Sequence, residues 1–270
     1  MLRNVLGRVG TLRHRCEGVA ANILVAAAAF LFFFAFSTAC SPDVATSVPV
    51  ANGSSTNLGV TGSGTLVTRD FAVSDFSEVE VGNAFKVDIT RGDSFTVMVT
   101  ADDNVIDMVD VTKSGQTLRI GLKSGSYNHA TYRGSVGMPD LRRLQMADAS
   151  VGTLTGFTPR RLDLGLSGAS QVTGRLEGGQ INMAAREAST VTLGGSADDV
   201  ALTASGASRA NLGDLSAGTT RASLREASTA TVNVKDKLDA DLRSASNLYY
   251  IGNPSLGSVS AVEESSLRHR

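Results

Sequence analysis

The residues whose type and spacing could do chemistry are carboxylates set at a regular step. Asp148, Glu187, Glu226 and Glu264 each stand just before a pair of small residues, in Asp148-Ala149-Ser150, Glu187-Ala188-Ser189, Glu226-Ala227-Ser228 and Glu264-Ser265-Ser266. Between them fall Gly168-Ala169-Ser170, Gly206-Ala207-Ser208 and Ser244-Ala245-Ser246, so carboxylates tend to occupy alternate copies. If the copies stack as rungs about 4.8 Å apart, successive carboxylates lie about 9–10 Å apart along the stack. That is at or past the upper end for the two acids of an inverting glycosidase, and too far for a retaining one. Arg186 and Arg225 precede two of the glutamates and favour charge-neutral surface ladders. The spacing therefore reads as avoidance of like-charge stacking rather than as a catalytic pair.

Other candidates are weaker. Asp102, Asp103, Asn104 and Asp107 supply oxygen ligands but lack the glycine and bidentate glutamate of a calcium hand. Asp198-Asp199 and the group Asp236, Asp239 and Asp241 offer no better pattern, and all read as turn and solvated-face residues. Three histidines (His14, His129, His269) leave little room for a His-based metal or catalytic cluster, and two cysteines rule out a disulfide-rich scaffold and a four-cysteine zinc site. His129 reads as an exposed loop residue, and Tyr249-Tyr250 as a cap on the last coils. No phosphate-binding loop, dinucleotide fingerprint or zinc spacing occurs. The expectation is a protein with no catalytic residue, no metal and no cofactor.

One cysteine does have a chemistry written around it. Arg3, Arg8, Arg13 and Arg15 precede an apolar run of fourteen residues, Ile23 to Phe36, which ends in Ser37-Thr38-Ala39-Cys40. The run has the length of a signal-peptide core and falls short of the roughly 20 residues of a spanning helix. The pattern resembles a bacterial lipoprotein signal, in which cleavage between Ala39 and Cys40 leaves Cys40 lipidated as the first mature residue. Ser37 stands where such signals favour leucine. The alternatives are an ordinary secretory signal cut after Ala39 and an uncleaved N-terminal anchor. From Cys40 to residue 65 the composition is that of a flexible linker, rich in Ser, Thr and Gly. Formal net charge is -1 for the whole chain. Removal of residues 1–39 takes away four arginines and Glu17, leaving 21 basic against 25 acidic residues. That balance argues against a nucleic-acid binder working through a basic face, and the lipoprotein-like signal makes the membrane the expected partner, through the N-terminal lipid.

What must position these residues is a repeat. Beyond residue 66 the periodicity is two: Val79, Val81, then Phe85, Val87, Ile89, then Val97, Val99, then Leu118, Ile120. The serines of the Ala-Ser copies recur at steps of 20, 19, 19, 20, 18 and 20 residues. About twenty residues cannot bury a core alone, but they make one coil of three short strands and three turns. The expected fold is all-β, a single right-handed parallel β-helix over residues 66–270. Equivalent residues then form ladders. The alanines Ala149, Ala169, Ala188, Ala207, Ala227 and Ala245 are expected inside a corner where nothing larger fits. The serines Ser150, Ser170, Ser189, Ser208, Ser228 and Ser246 are expected to satisfy turn backbone.

The stretch Ala101-Asp102-Asp103-Asn104-Val105-Ile106-Asp107, with Leu118-Arg119-Ile120, Pro139-Asp140-Leu141-x-x-Leu144 and the recurring Gly-Ala-Ser, is similar to the auto-transporter adhesin "head GIN" family, formerly a domain of unknown function. So is Leu248-Tyr249-Tyr250-Ile251-Gly252-Asn253-Pro254, and the resemblance spans roughly residues 66–262. It implies an exported or lipid-anchored envelope protein with one β-helical domain and no catalytic residues. The function so expected is adhesion or envelope interaction through a long regular surface. A polysaccharide-modifying enzyme on the same scaffold and a purely structural envelope spacer are the rival readings. The sequence names neither a ligand nor a self-association state.

Overall fold

The structure is a computed structural model and describes residues 59–270. The signal segment, Cys40 and the chain up to residue 58 lie outside the described residues. The described chain is a β-solenoid of about seven turns, with one 3-10 turn, Ile106–Met108, and no α-helix.

The repeat half shows why the sequence coils. The strands Gln171–Ala185, Thr190–Ala204, Arg209–Leu224 and Thr229–Leu242 stack in parallel. Each alternates buried and outward residues along two limbs, and the alternation slips between them, as at the exposed Lys235, Asp236 and Lys237. Pairing aligns like with like inside: Met183, Leu202, Ala222 and Ala240 form one column, and Ala185, Ala204, Leu224 and Leu242 another. A third column, Ile181, Val200, Thr220, Leu238, includes a buried threonine whose Oγ1 has no hydrogen-bond partner.

Coils close through a tight turn of two left-handed residues, with φ between 54° and 63°. These are Asp148-Ala149, Gly168-Ala169, Glu187-Ala188, Gly206-Ala207, Glu226-Ala227, Ser244-Ala245 and Glu263-Glu264, and Asn83-Ala84 makes an earlier one. The alanine faces solvent, and its N–H donates to the next coil, as from Ala188 to the Gly206 carbonyl at 2.7 Å. The serine after it is the buried member, with Ser150, Ser170, Ser189, Ser208, Ser228 and Ser246 at 0–1% exposure. In three copies its hydroxyl donates back across the turn, from Ser170 to the Ser167 carbonyl at 2.7 Å, from Ser189 to the Arg186 carbonyl at 2.6 Å and from Ser208 to the Ser205 carbonyl at 2.7 Å, while the Ser150 and Ser246 hydroxyls have no partner among the described residues. The expected placement of the alanines inside is thus reversed. Two-residue alternation decides it: Ser170 lies two residues before buried Val172, whereas Ala169 shares the parity of outward Gln171. The last copy also shifts by one, because Ser265, not Ser266, occupies the inner position, its Oγ accepting the Ser246 N–H at 3.1 Å.

The first part of the domain departs from the all-parallel expectation. Thr96–Asp102 runs antiparallel to both Leu66–Asp70 and Tyr132–Met138, and Val109–Ser114 forms a hairpin with Thr117–Leu122. Thr117–Leu122 and Tyr132–Met138 then lie parallel to Glu78–Val81 and Lys86–Arg91. Those two strands in turn carry Arg143–Met146 and Val151–Thr155. A solenoid end exposes core, and this reversal of chain direction lays extra strands over it. Phe76 against Phe95 (ring centroids 4.8 Å apart) and Phe85 against Tyr132 (5.2 Å) fill the space beneath. The linker expected to reach residue 65 is held earlier: Val60–Thr61 pairs with Tyr127–Asn128, and the Gly64 N–H donates to Asp102 at 2.6 Å.

Candidate functional site

Pairing along the second limb sets outward side chains in two lines that run across the strands. One contains Glu78, Arg143, Asp163, Asn182, Ala201, Arg221 and Asp239, and the other Glu80, Gln145, Gly165, Ala184, Thr203, Ser223 and Asp241. Where the residues are small the face is recessed. Three cavities of about 630, 500 and 320 Å³ succeed one another along it. The first and second share Asp163; the second and third share Ala201 and Thr203. From Arg143 to Asp239 there are five rung steps, hence an axial groove about 24 Å long. Its first part is walled by Arg142, Arg143, Arg160 and Arg161. Its middle is lined by Gln145, Asn182 and uncharged small residues, with Arg186 at the turn edge, and its far part by Arg221, Asp239 and Asp241.

The charges here are tied down. Burial pushes the Asp163 carboxyl up, but the Asn182 amide at 2.6 Å and the Arg161 guanidinium outweigh it and hold it below the ordinary carboxylate range. The Ser258 N–H, at 2.9 Å, and the Lys237 ammonium hold Asp239 low. Asp102, in the first part of the domain, is held low by the N–H groups of Thr131 and Gly64. Each of these perturbed carboxylates is stabilised in its ionised form, the opposite of what a general acid near neutral pH requires.

The residues singled out from sequence go elsewhere. Asp148, Glu187 and Glu226 do line one edge, but as turn residues. The Glu187 and Glu226 carboxylates accept the N–H groups of Gly168 and Gly206, each at 3.0 Å. Glu263, not Glu264, does the same for Ser244 at 3.1 Å. At Glu187, Glu226 and Glu263 the alternation of carboxylate with glycine or serine is therefore a backbone-satisfaction device: each glutamate serves the turn of the preceding coil. Asp103 accepts the Ser63 hydroxyl, Asn104 donates to the Thr61 carbonyl, and Asp107 pairs with Arg69 at 2.7 Å, so the acidic stretch clamps the entering chain. His129 is exposed with φ of 50°. Tyr249 lies under the Arg270 guanidinium, and Tyr250 against the His269 ring. Ala39 and Cys40 lie outside the described residues. The groove was missed because its marks, Gly165, Ala184 and Ala201, are outward positions lacking bulk. Aligning coils by the Ser column and reading the outward column nineteen or twenty residues apart would have displayed them.

A profile of the family described as "Putative auto-transporter adhesin, head GIN domain" matches residues 75–254. Among solved structures, a "putative adhesin" from Bacteroides fragilis NCTC 9343 is 24% identical, with a TM-score of 0.73 over 78% of this chain and 100% of that one. A "putative adhesin" from Parabacteroides merdae ATCC 43184 is 13% identical, with a TM-score of 0.65 over 78% and 98%. A "putative lipid binding protein" from Parabacteroides distasonis ATCC 8503 is 17% identical, with a TM-score of 0.62 over 78% and 99%. At these identities the likeness establishes the shared fold. No curated protein matches the sequence.

Proposed function

The chain belongs to the head GIN family of auto-transporter adhesin-like domains, and from that premise we propose that it is a non-catalytic adhesion module of the bacterial cell envelope. The observation that carries this reading is the axial groove: an open surface about 24 Å long, assembled from two outward positions per coil, with no converging nucleophile and base among its lining residues. Affinity on such a surface comes from many shallow contacts held in register by a rigid sheet. The downward-shifted Asp163 and Asp239 support binding over hydrolysis. We further propose that Cys40 carries lipid, that Ala39-Cys40 is the cleavage point, and that the linker lets the solenoid stand off the membrane.

Saturable binding of purified full-length protein to intact bacterial or host cell surfaces tests the adhesion reading; a structural spacer shows none. Release of product in a glycan-degradation screen, lost in Asp163→Ala, would replace the module with an enzyme. Intact mass of membrane-extracted protein tests the anchor. A chain starting at Cys40 with acyl groups is expected in the wild type, and unlipidated protein in Cys40→Ala.

A further inference from the structure

We propose that the arginine-walled end of the groove docks a carboxylate borne on the terminal sugar of an otherwise uncharged glycan chain, an inference that rests on the adhesion reading above. The end cavity, about 630 Å³, brings together Arg142, Arg143, Arg160 and Arg161. Three carboxylates share its wall: Asp140 pairs with Arg142 at 3.1 Å, Glu78 with Arg143 at 3.4 Å, and Asp163 with Arg161 at 3.2 Å. Arg160 makes no ion pair among the described residues, although Glu177 and Asp198 line the adjoining recess that it also borders, so it is the guanidinium freest to take an incoming carboxylate. Guanidinium forks match a carboxylate in two parallel hydrogen bonds. The Asp140–Arg142 pair is solvent-exposed and weak, so Arg142 exchanges readily with an incoming acid, while the half-buried Glu78 and Asp163 keep Arg143 and Arg161 in place.

The rungs beyond select the neutral sugars behind the acid. For two to three rungs the groove offers the Gln145 and Asn182 amides and the Thr203 hydroxyl over Gly165, Ala184 and Ala201. Among the described residues a single cation, Arg186, lines this stretch, at its turn edge, and the ionised Asp163 stands at the entrance. A chain charged on every unit, whether nucleic acid or polyuronate, would meet that carboxylate and find one guanidinium for several charges. A peptide finds no strand edge, because the groove crosses strands whose backbone groups are spent on neighbouring rungs. Side-chain amides and hydroxyls repeating every 4.8 Å or so suit a line of sugar hydroxyls.

The test uses full-length detergent-extracted protein and three immobilised probes: an N-acetyllactosamine oligosaccharide ending in sialic acid, the same oligosaccharide without it, and one carrying terminal sulfate instead. The sialylated probe is expected to bind roughly tenfold tighter than the neutral one. Arg160→Gln, which breaks no ion pair, should weaken sialylated-probe binding about tenfold, while the remote turn variant Glu226→Gln leaves it unchanged. Equal binding of sialylated and neutral probes, no binding of either, or no effect of Arg160→Gln overturns the proposal. A preference for sulfate over sialic acid overturns the carboxylate assignment. Cell-surface binding that survives Arg160→Gln defeats this inference and leaves adhesion standing; wild-type protein that binds no cell surface defeats the adhesion reading itself.

Discussion

Residues 143–270 and residues 59–142 bury the same kind of core by different routes. In the first, every coil meets a near-copy of itself 18–20 residues away, and its core columns use mainly Ala, Val, Leu, Ile and Met, with the buried turn serines and Thr220. In the second, partners lie as far as 67 residues apart, as between Val60 and Tyr127. Chain direction reverses there, and paired aromatics fill a space of irregular shape. Repetition lets small side chains suffice, because each rung finishes the packing of the last. The end of a stack has no next rung, and there large side chains and individually placed hydrogen bonds take over.

Substitutions can separate the two modes. Phe85→Ala, at the position equivalent to the buried serines but in the aromatic region, should cost about 3–5 kcal/mol. A cost under 1 kcal/mol, measured by chemical denaturation, would show that the cap contributes little to the stack. Ser189→Leu, aimed inward, should overpack the column and cost roughly 1–3 kcal/mol. Ala188→Leu, one residue earlier and outward, should stay within about 0.5 kcal/mol. Equal melting shifts for the two would undo the inside–outside assignment. Thr220→Val removes a buried hydroxyl without a partner and should stabilise by about 1 kcal/mol; a lower midpoint would mean that hydroxyl is satisfied. The smallest global effect belongs to Asp102. Its folded-state carboxyl titrates below the ordinary value, so its contribution is fully present above about pH 4 and lost as pH falls through the folded value. Hydrogen exchange at residues 60–64 and 129–132 should accelerate below that pH while residues 171–242 stay protected. Uniform loss across both regions would show that cap and repeat open as one unit.

The coil period and the strand alternation were legible because they recur, and recurrence is visible in a single sequence. Which of two small residues faces inward was not read correctly. Alanine and serine differ little in size, and the deciding fact is parity with Val172 rather than side-chain chemistry. The left-handed turn explains the rest of the motif, since it exposes the alanine and buries the serine whichever residue precedes them. The clamp around Asp102 was invisible because its donors, Gly64 and Thr131, lie 38 and 29 residues away with no pattern linking them. The groove escaped for a different reason: a recess is made by what side chains lack, and coils must be aligned before that shows.

The rung built from Glu78–Val81 and Lys86–Arg91 is first in the chain but second in space, flanked by strands that come later in sequence. As the polypeptide is synthesised, one of its edges waits for partners until residue 138 has appeared and the other until residue 155. Residues 143–270, by contrast, can zip up one rung at a time over short loops. Closing the longer loops is the entropically costly event and should limit the folding rate. An open strand carrying Val79, Val81, Phe85 and Ile89 is meanwhile a template for mispairing between nascent chains. The segment most in need of a chaperone is therefore the rung that later joins the repeat to its cap.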